Sequence, residues 1–168
     1  ASTEYNVRLE QCEKGVAMMK QQYPSIKSLR DATMEMLDEC VKTEPLIYKR
    51  CKYVIEENIR LKEACKHLAS NDIKSFGQKM FRTHEGLNKE YEVSCKELDY
   101  LVDQVRNDEA VLGARMMGGG FGGCTINLVK EEAIPGLVER LSKLYKENMH
   151  LELKHYVIAI KDGTTRVQ

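Results

Sequence analysis

Apolar positions in the first hundred residues recur at helical spacing. Val7, Cys12, Val16, Met19 and Tyr23 keep a stripe up to Pro24 and predict a helix beginning almost at residue 1. A short helix is expected around Leu29 to Cys40, then a long one over Pro45–Ala69, opened by a proline suited to a first turn. In that long segment Ile47, Cys51, Val54, Leu61, Cys65 and Leu68 fall at spacings of three and four and predict one buried face. Asn58 fills the gap in this face and reads as a core amide satisfied by backbone. Asn71-Asp72 caps a further helix running through Phe76, Met80 and Phe81 towards Leu87. Ser94-Cys95-Lys96-Glu97 is an S-x-x-E capping box, opening a helix with Leu98, Leu101, Val102 and Val105 inward.

After Asn107 the period changes. Cys124, Ile126 and Leu128 alternate with Thr125, Asn127 and Val129, which is strand behaviour. A helix follows with Ala133, Leu137, Leu141, Leu144 and Tyr145 on one side. Tyr156, Ile158 and Ile160 then alternate before the turn residues Asp162-Gly163 and predict a last strand. The end of the chain thus reads strand, loop, strand, helix, strand. Helices followed by a small sheet make an α+β fold, expected as a single domain over residues 1–168.

A chain of 168 residues buries about 70% of the surface it exposes when unfolded, so it needs no metal or disulfide to hold together. Twenty-six basic and 26 acidic residues cancel, which removes any electrostatic case for nucleic acid or an anionic membrane. No run reaches the roughly 18 apolar residues of a membrane span. The opening ASTEYNVRLEQCEKG lacks the apolar core of a secretory signal. None of the six cysteines forms a C-x-x-C pair and most sit in apolar patterns, so they read as small buried hydrophobes in a reducing cytoplasm. Helical sequence starting with no linker has the look of a piece cut from a longer protein.

The densest signal is MMGGGFGGCTINLV, Met116 to Val129. Gly118, Gly120 and Gly123 satisfy G-x-G-x-x-G formally, but a dinucleotide site needs those glycines between a strand and a helix. Here they run straight into strand-forming CTINLV, and no Gly-Lys-Ser/Thr follows to make a phosphate loop. What remains is a glycine loop between two strands. A plain hairpin needs one or two glycines, so five call for positive φ angles or close approach of another backbone or ligand. Phe121 within the loop must be buried against something.

GARMMGGGFGGCTINLV resembles the third signature motif of the GHMP kinases, the group of galactokinase, homoserine kinase, mevalonate kinase and phosphomevalonate kinase, and within it most resembles the galactokinases. YNVRLEQCE, Tyr5 to Glu13, is similar to their Tyr-x-x-Arg…Gln-Cys-Glu segment. VIEENIRLKEACKHLASNDIKSF carries their Glu-Asn-x-Arg helix, and HEGLNKEYEVSCKELDYLV resembles their Tyr-Glu-Val-Ser-Cys-x-Glu-Leu-Asp block. Met117 replaces a usual Thr and Leu9 a common second Arg, while Gly86 and Asn88 depart from the usual Ser and Arg.

The resemblance implies the C-terminal domain of such a kinase, a ferredoxin-like core with extra helices. The first two motifs and the catalytic Asp would belong to an N-terminal domain absent from this chain. ATP and Mg²⁺ would be bound mainly there, no catalytic residue and no metal ligand would lie here, and the partners would be galactose, ATP and that domain. Tyr5 is implied as the sugar contact, through a phenol with an apolar face and one hydroxyl. Gly118, Gly119, Gly120, Phe121, Gly122 and Gly123 are implied as a wall of the cleft. Arg115 is a possible supporting residue, expected to pair with a carboxylate. His84 and the methionines read as structural. The parent would be a galactokinase; a non-catalytic sugar sensor, or a kinase for a sugar such as N-acetylgalactosamine, shares this pattern.

Overall fold

The computed structural model describes residues 2–159, and side chains from residue 4 onward. The chain divides into two compact units, residues 1–131 and 132–168. The first holds five helices and a two-stranded antiparallel sheet: α1 (Ser2–Lys20), α2 (Met34–Cys40), α3 (Pro45–Ala69), α4 (Ile73–Lys89), α5 (Lys96–Asp103), β1 (Val111–Met117) and β2 (Cys124–Val129). The second carries α6 (Ile134–Met149), entered through a short 3₁₀ turn over Glu131–Ala133. The architecture is α+β, with helices packed on a small antiparallel sheet.

One core joins α1, α2 and α3 around Met19, Leu37, Ile47, Cys51 and Ile55. In α1 the half-buried Val7, Cys12 and Val16 lead down to the buried Met19, as the stripe requires. Asp72 caps α4, its carboxylate accepting Ser75 N–H at 3.1 Å. The α4 helix lies directly on β1 because two glycines meet there. A Cβ at Gly77 would overlap Leu112 O, and one at Gly113 would overlap the Gly77 backbone. Strand β1 pairs with β2 from Val111 opposite Val129 to Met117 opposite Cys124, with a bulge between Val111 and Gly113.

Four expectations are corrected. Helix α2 starts at Met34, five residues late, because the Asp31 carboxylate takes the N–H groups of Lys27 and Ser28, both at 3.0 Å, and folds that stretch into a turn. The apolar face expected of α3 is buried or half-buried only from Ile47 to Val54. Leu61 is 63% exposed and Leu68 and Cys65 are exposed too, while Tyr53, Ile55 and Ala64 lie inside. The capping box does not form. Helix α5 begins at Lys96 with Cys95 as cap and no side-chain capping bond, and the buried Ser94 Oγ has no partner among the described residues. Residues 151–159 form no strand: Tyr156, Val157 and Ile158 are exposed and no described strand offers them a ladder. The rest of that expected strand, from Ile160, lies outside the described residues. Asn58, by contrast, donates to Leu29 O at 3.5 Å, the backbone contact expected of a core amide.

Candidate functional site

The glycine loop between β1 and β2 spans six residues, and five of them have positive φ: Gly118, Gly120, Phe121, Gly122 and Gly123. That alone accounts for the glycine density, since side chains are strained there. Phe121, the one non-glycine in this left-handed run, sits at φ +59°. Its side chain offsets the strain by packing against the buried cluster of Val93, Leu98 and Met116. Its N–H donates to Val93 O at 2.6 Å. At Gly120 a Cβ would overlap Val93 O and lie 2.7 Å from Val93 Cβ, so the loop docks backbone to backbone on the segment before α5. Gly118, Gly119 and Gly122 face open space. The loop is thus fixed along one edge and open along the other.

Two buried arginines hold the segment on which the loop docks. Arg8, on α1, donates from Nε to Tyr91 O (2.7 Å) and from Nη2 to Glu92 O (2.9 Å), and its Cζ lies 6.0 Å from the Phe121 ring centroid. Arg50, on α3 and 2% exposed, donates to Glu90 O, to Glu92 Oε2 (2.5 Å) and to Gln11 Oε1 (3.2 Å). Glu92 also receives Lys49 at 2.5 Å. Hydrogen bonds from Arg50 and Lys49 hold the Glu92 carboxyl down at about 2, far below its usual range. Glu92 itself has φ +55°, which turns its carbonyl to Arg8 and its carboxylate to Arg50.

The strand entering the loop is pinned by His84. Its Nδ1 accepts Met116 N–H at 3.1 Å, so the ring proton sits on Nε2, 3.2 Å from Asp99 Oδ1 but poorly aligned for a full hydrogen bond. Burial keeps the imidazole neutral by lowering its pKa, against the raising influence of Asp99.

Tyr5 stands on α1 one turn before Arg8, with 55% of its surface exposed. It lies within electrostatic reach of Tyr91, whose own pKa is raised mainly by burial and secondarily by Cys12. Tyr5, Tyr91, Arg8, Phe121 and the glycines therefore form one neighbourhood. Arg115 is not part of it. Among the described residues no carboxylate pairs with it; it donates to Met116 O at 3.4 Å and its charge acts on Tyr53. Among the described residues no cluster of three His, Cys, Asp or Glu side chains could hold a metal ion. Sequence reasoning missed Arg8 and Arg50 as site-builders. Their signals were present: Arg8 stands at i+3 from Tyr5, and Arg50 interrupts the apolar face of α3 between Ile47 and Cys51.

A model of the family described as GHMP kinases C terminal matches residues 61–147, from mid-α3 through the glycine loop into α6. The chain belongs to that family. Its relatives include the galactokinase of Clostridium beijerinckii, 39% identical over 170 residues, covering 99% of this chain and 43% of that protein. The galactokinase of Thermotoga maritima is 36% identical over 167 residues, with 99% and 45% covered. The crystal structure of Lactococcus lactis galactokinase complexed with galactose superposes with a TM-score of 0.82 at 30% identity, over 89% of this chain and 39% of that one. The chain spans less than half the length of these galactokinases, and in GHMP-kinase terms it corresponds to their C-terminal part.

Proposed function

We propose that this chain is the C-terminal part of a galactokinase, which transfers the γ-phosphoryl group of ATP to the anomeric hydroxyl of α-D-galactose and yields galactose 1-phosphate. The observation that carries the reading is the Arg8 clasp. One guanidinium joins the helix bearing Tyr5 to the segment that positions the glycine loop. Phosphoryl transfer depends on positioning and electrostatics more than on covalent chemistry, and a fixed wall beside a sugar contact is a positioning device. In this reading Tyr5 touches the sugar, and Gly118 to Gly123 with Phe121 close one side of the cleft. Arg115 supports β1 from the side facing Tyr53. In this reading ATP and Mg²⁺ are held chiefly by an N-terminal domain, and this half supplies one wall of the cleft. The six free cysteines suit a reducing cytoplasm.

The test is galactose-dependent ADP release from this chain alone, from this chain mixed with the N-terminal half of its parent, and from the intact parent. Silence alone with turnover by the intact parent is the expected result. Turnover by this chain alone would overturn the reading, as would an intact parent that binds galactose without consuming ATP, or one that phosphorylates only another sugar.

A further inference from the structure

The most unusual cluster outside the glycine-loop neighbourhood lies between α1 and α3. Cys51 is wholly buried in the helical core and its sulfur presses on α1 at Gly15, where an added Cβ would overlap it. Cys12 stands one turn earlier on the same side of α1, half-buried, and packs against the same core. Its sulfur is 3.7 Å from the Tyr91 hydroxyl, and Cys12 lines a surface groove of about 570 Å³ with Leu9, Val16, Leu29, Val54 and Tyr91. A buried cysteine and one that lines a groove thus share one core between α1 and α3.

We propose that Cys12 and Cys51 form a hydroperoxide-responsive dithiol that closes to a disulfide between α1 and α3. The groups facing Cys12 favour its thiolate. The Cys51 thiol faces it across the α1–α3 core, the Tyr91 hydroxyl lies 3.7 Å from its sulfur, and Arg50 and Arg8 lie close by as cations. Against the opposing effect of burial, these lower the Cys12 pKa to about 7 and leave the proton on Cys51, whose own pKa is pushed up. The Cys12 thiolate attacks one peroxide oxygen, the O–O bond breaks, and the departing alkoxide or hydroxide takes a proton. Cys12 becomes a sulfenic acid, oxidised by two electrons as the peroxide is reduced. The Cys51 sulfur, losing its proton, then attacks the Cys12 sulfur. The S–S bond forms and the S–OH bond breaks, and hydroxide leaves as water with that proton. The sum is two thiols and one hydroperoxide giving one disulfide, one alcohol or water, and one water. Intracellular disulfides of this transient kind act as redox sensors. A bond here would fasten the helix that carries Tyr5 and Arg8 to the core of the bundle.

Cys65 and Cys124 are more exposed than Cys12 and serve as internal controls. The folded chain is first labelled with limiting iodoacetamide near neutral pH and mapped by mass spectrometry. Cys12 should alkylate about five- to tenfold faster than either control despite its partial burial. The chain is next treated with graded hydrogen peroxide, blocked, and mapped without reduction. The expected product is a linked peptide pair containing Cys12 and Cys51, reversed by dithiothreitol. In Cys51→Ser the same treatment should leave a dimedone-reactive sulfenic acid at Cys12. Preferential alkylation of Cys65 or Cys124 would overturn the proposal. So would oxidation of Cys12 in the wild-type chain without linkage to Cys51, a result that does not depend on how the variant folds.

Discussion

At Gly120 two constraints coincide: a φ of +90° and the Val93 backbone where a side chain would go. Neither can be relieved by rotating a flexible group. Gly120→Ala should therefore cost about 1–3 kcal/mol or lift the loop from Val93. Gly119→Ala, one residue away, has open space and no positive φ, and should change stability by less than about 0.5 kcal/mol. Thermal unfolding of the two variants, with amide exchange at Phe121 N–H, separates them. Equal melting temperatures and equal protection would show that the docking has no consequence. A second prediction concerns Tyr5, whose exposure leaves its hydroxyl little part in the fold. In the intact parent, if it is the galactokinase proposed above, Tyr5→Phe should raise KM for galactose about three- to tenfold, the worth of one lost hydrogen bond. Its melting temperature should not move. An unchanged KM would remove Tyr5 from the sugar site.

Between elements, the closest approach is α4 on β1, where Gly77 and Gly113 meet with no side chain between them. Gly77→Ala gains about 1 kcal/mol of helix propensity, since Gly77 is inside a helix. Its methyl group overlaps the Leu112 carbonyl, which is backbone at the β1 bulge and not the end of a flexible side chain. The clash should win, with a net loss of about 1–3 kcal/mol seen as a lower denaturant midpoint. A midpoint at or above the wild type would mean that helix and strand separate without penalty. Neither half of this contact was legible in the sequence: Gly77 looked like one glycine in a helix, and Gly113 like one more in the run before the loop. What the sequence did carry were the elements with strong local causes, among them the Asp72 cap, the β1–loop–β2 hairpin and the α6 stripe. It misled where a local signal had a competitor. Asp31 captured backbone donors ahead of α2, and Ser94 lost the cap of α5 to its neighbour. An alternating pattern at Tyr156 names a strand only if another strand accepts it.

For the molecule as a whole, the candidate site depends on how α1, α3, α4, α5 and β1 are fastened together, and beside the apolar core several of those fastenings are polar. Arg8 and Arg50 were readable as charged residues but not as clamps, because their partners include backbone carbonyls 40 to 84 positions away, at residues 90–92. His84 is a fastening that a proton can break. It joins α4 to β1 through Met116 and faces Asp99 on α5. Protonating Nδ1 would remove the acceptor for the Met116 N–H. Desolvation holds its folded pKa below the ordinary 6.5, with Arg106 adding to the fall and Asp99 and Asp103 opposing it. The unfolded chain therefore takes up this proton first as pH drops. Stability from His84 is complete above the unfolded value, declines as pH falls through it, and levels off below the folded value. Glu92 contributes in a separate and more acidic window, below its unfolded value of 4.5. Urea midpoints from about pH 7 down to about pH 5 should fall in the wild type. In His84→Asn the amide oxygen still accepts the Met116 N–H but does not titrate, so its curve should start lower and run flatter. Parallel curves would assign the acid sensitivity to another group; a midpoint that rises on acidification would reverse the sign and show that Asp99, not burial, governs the ring.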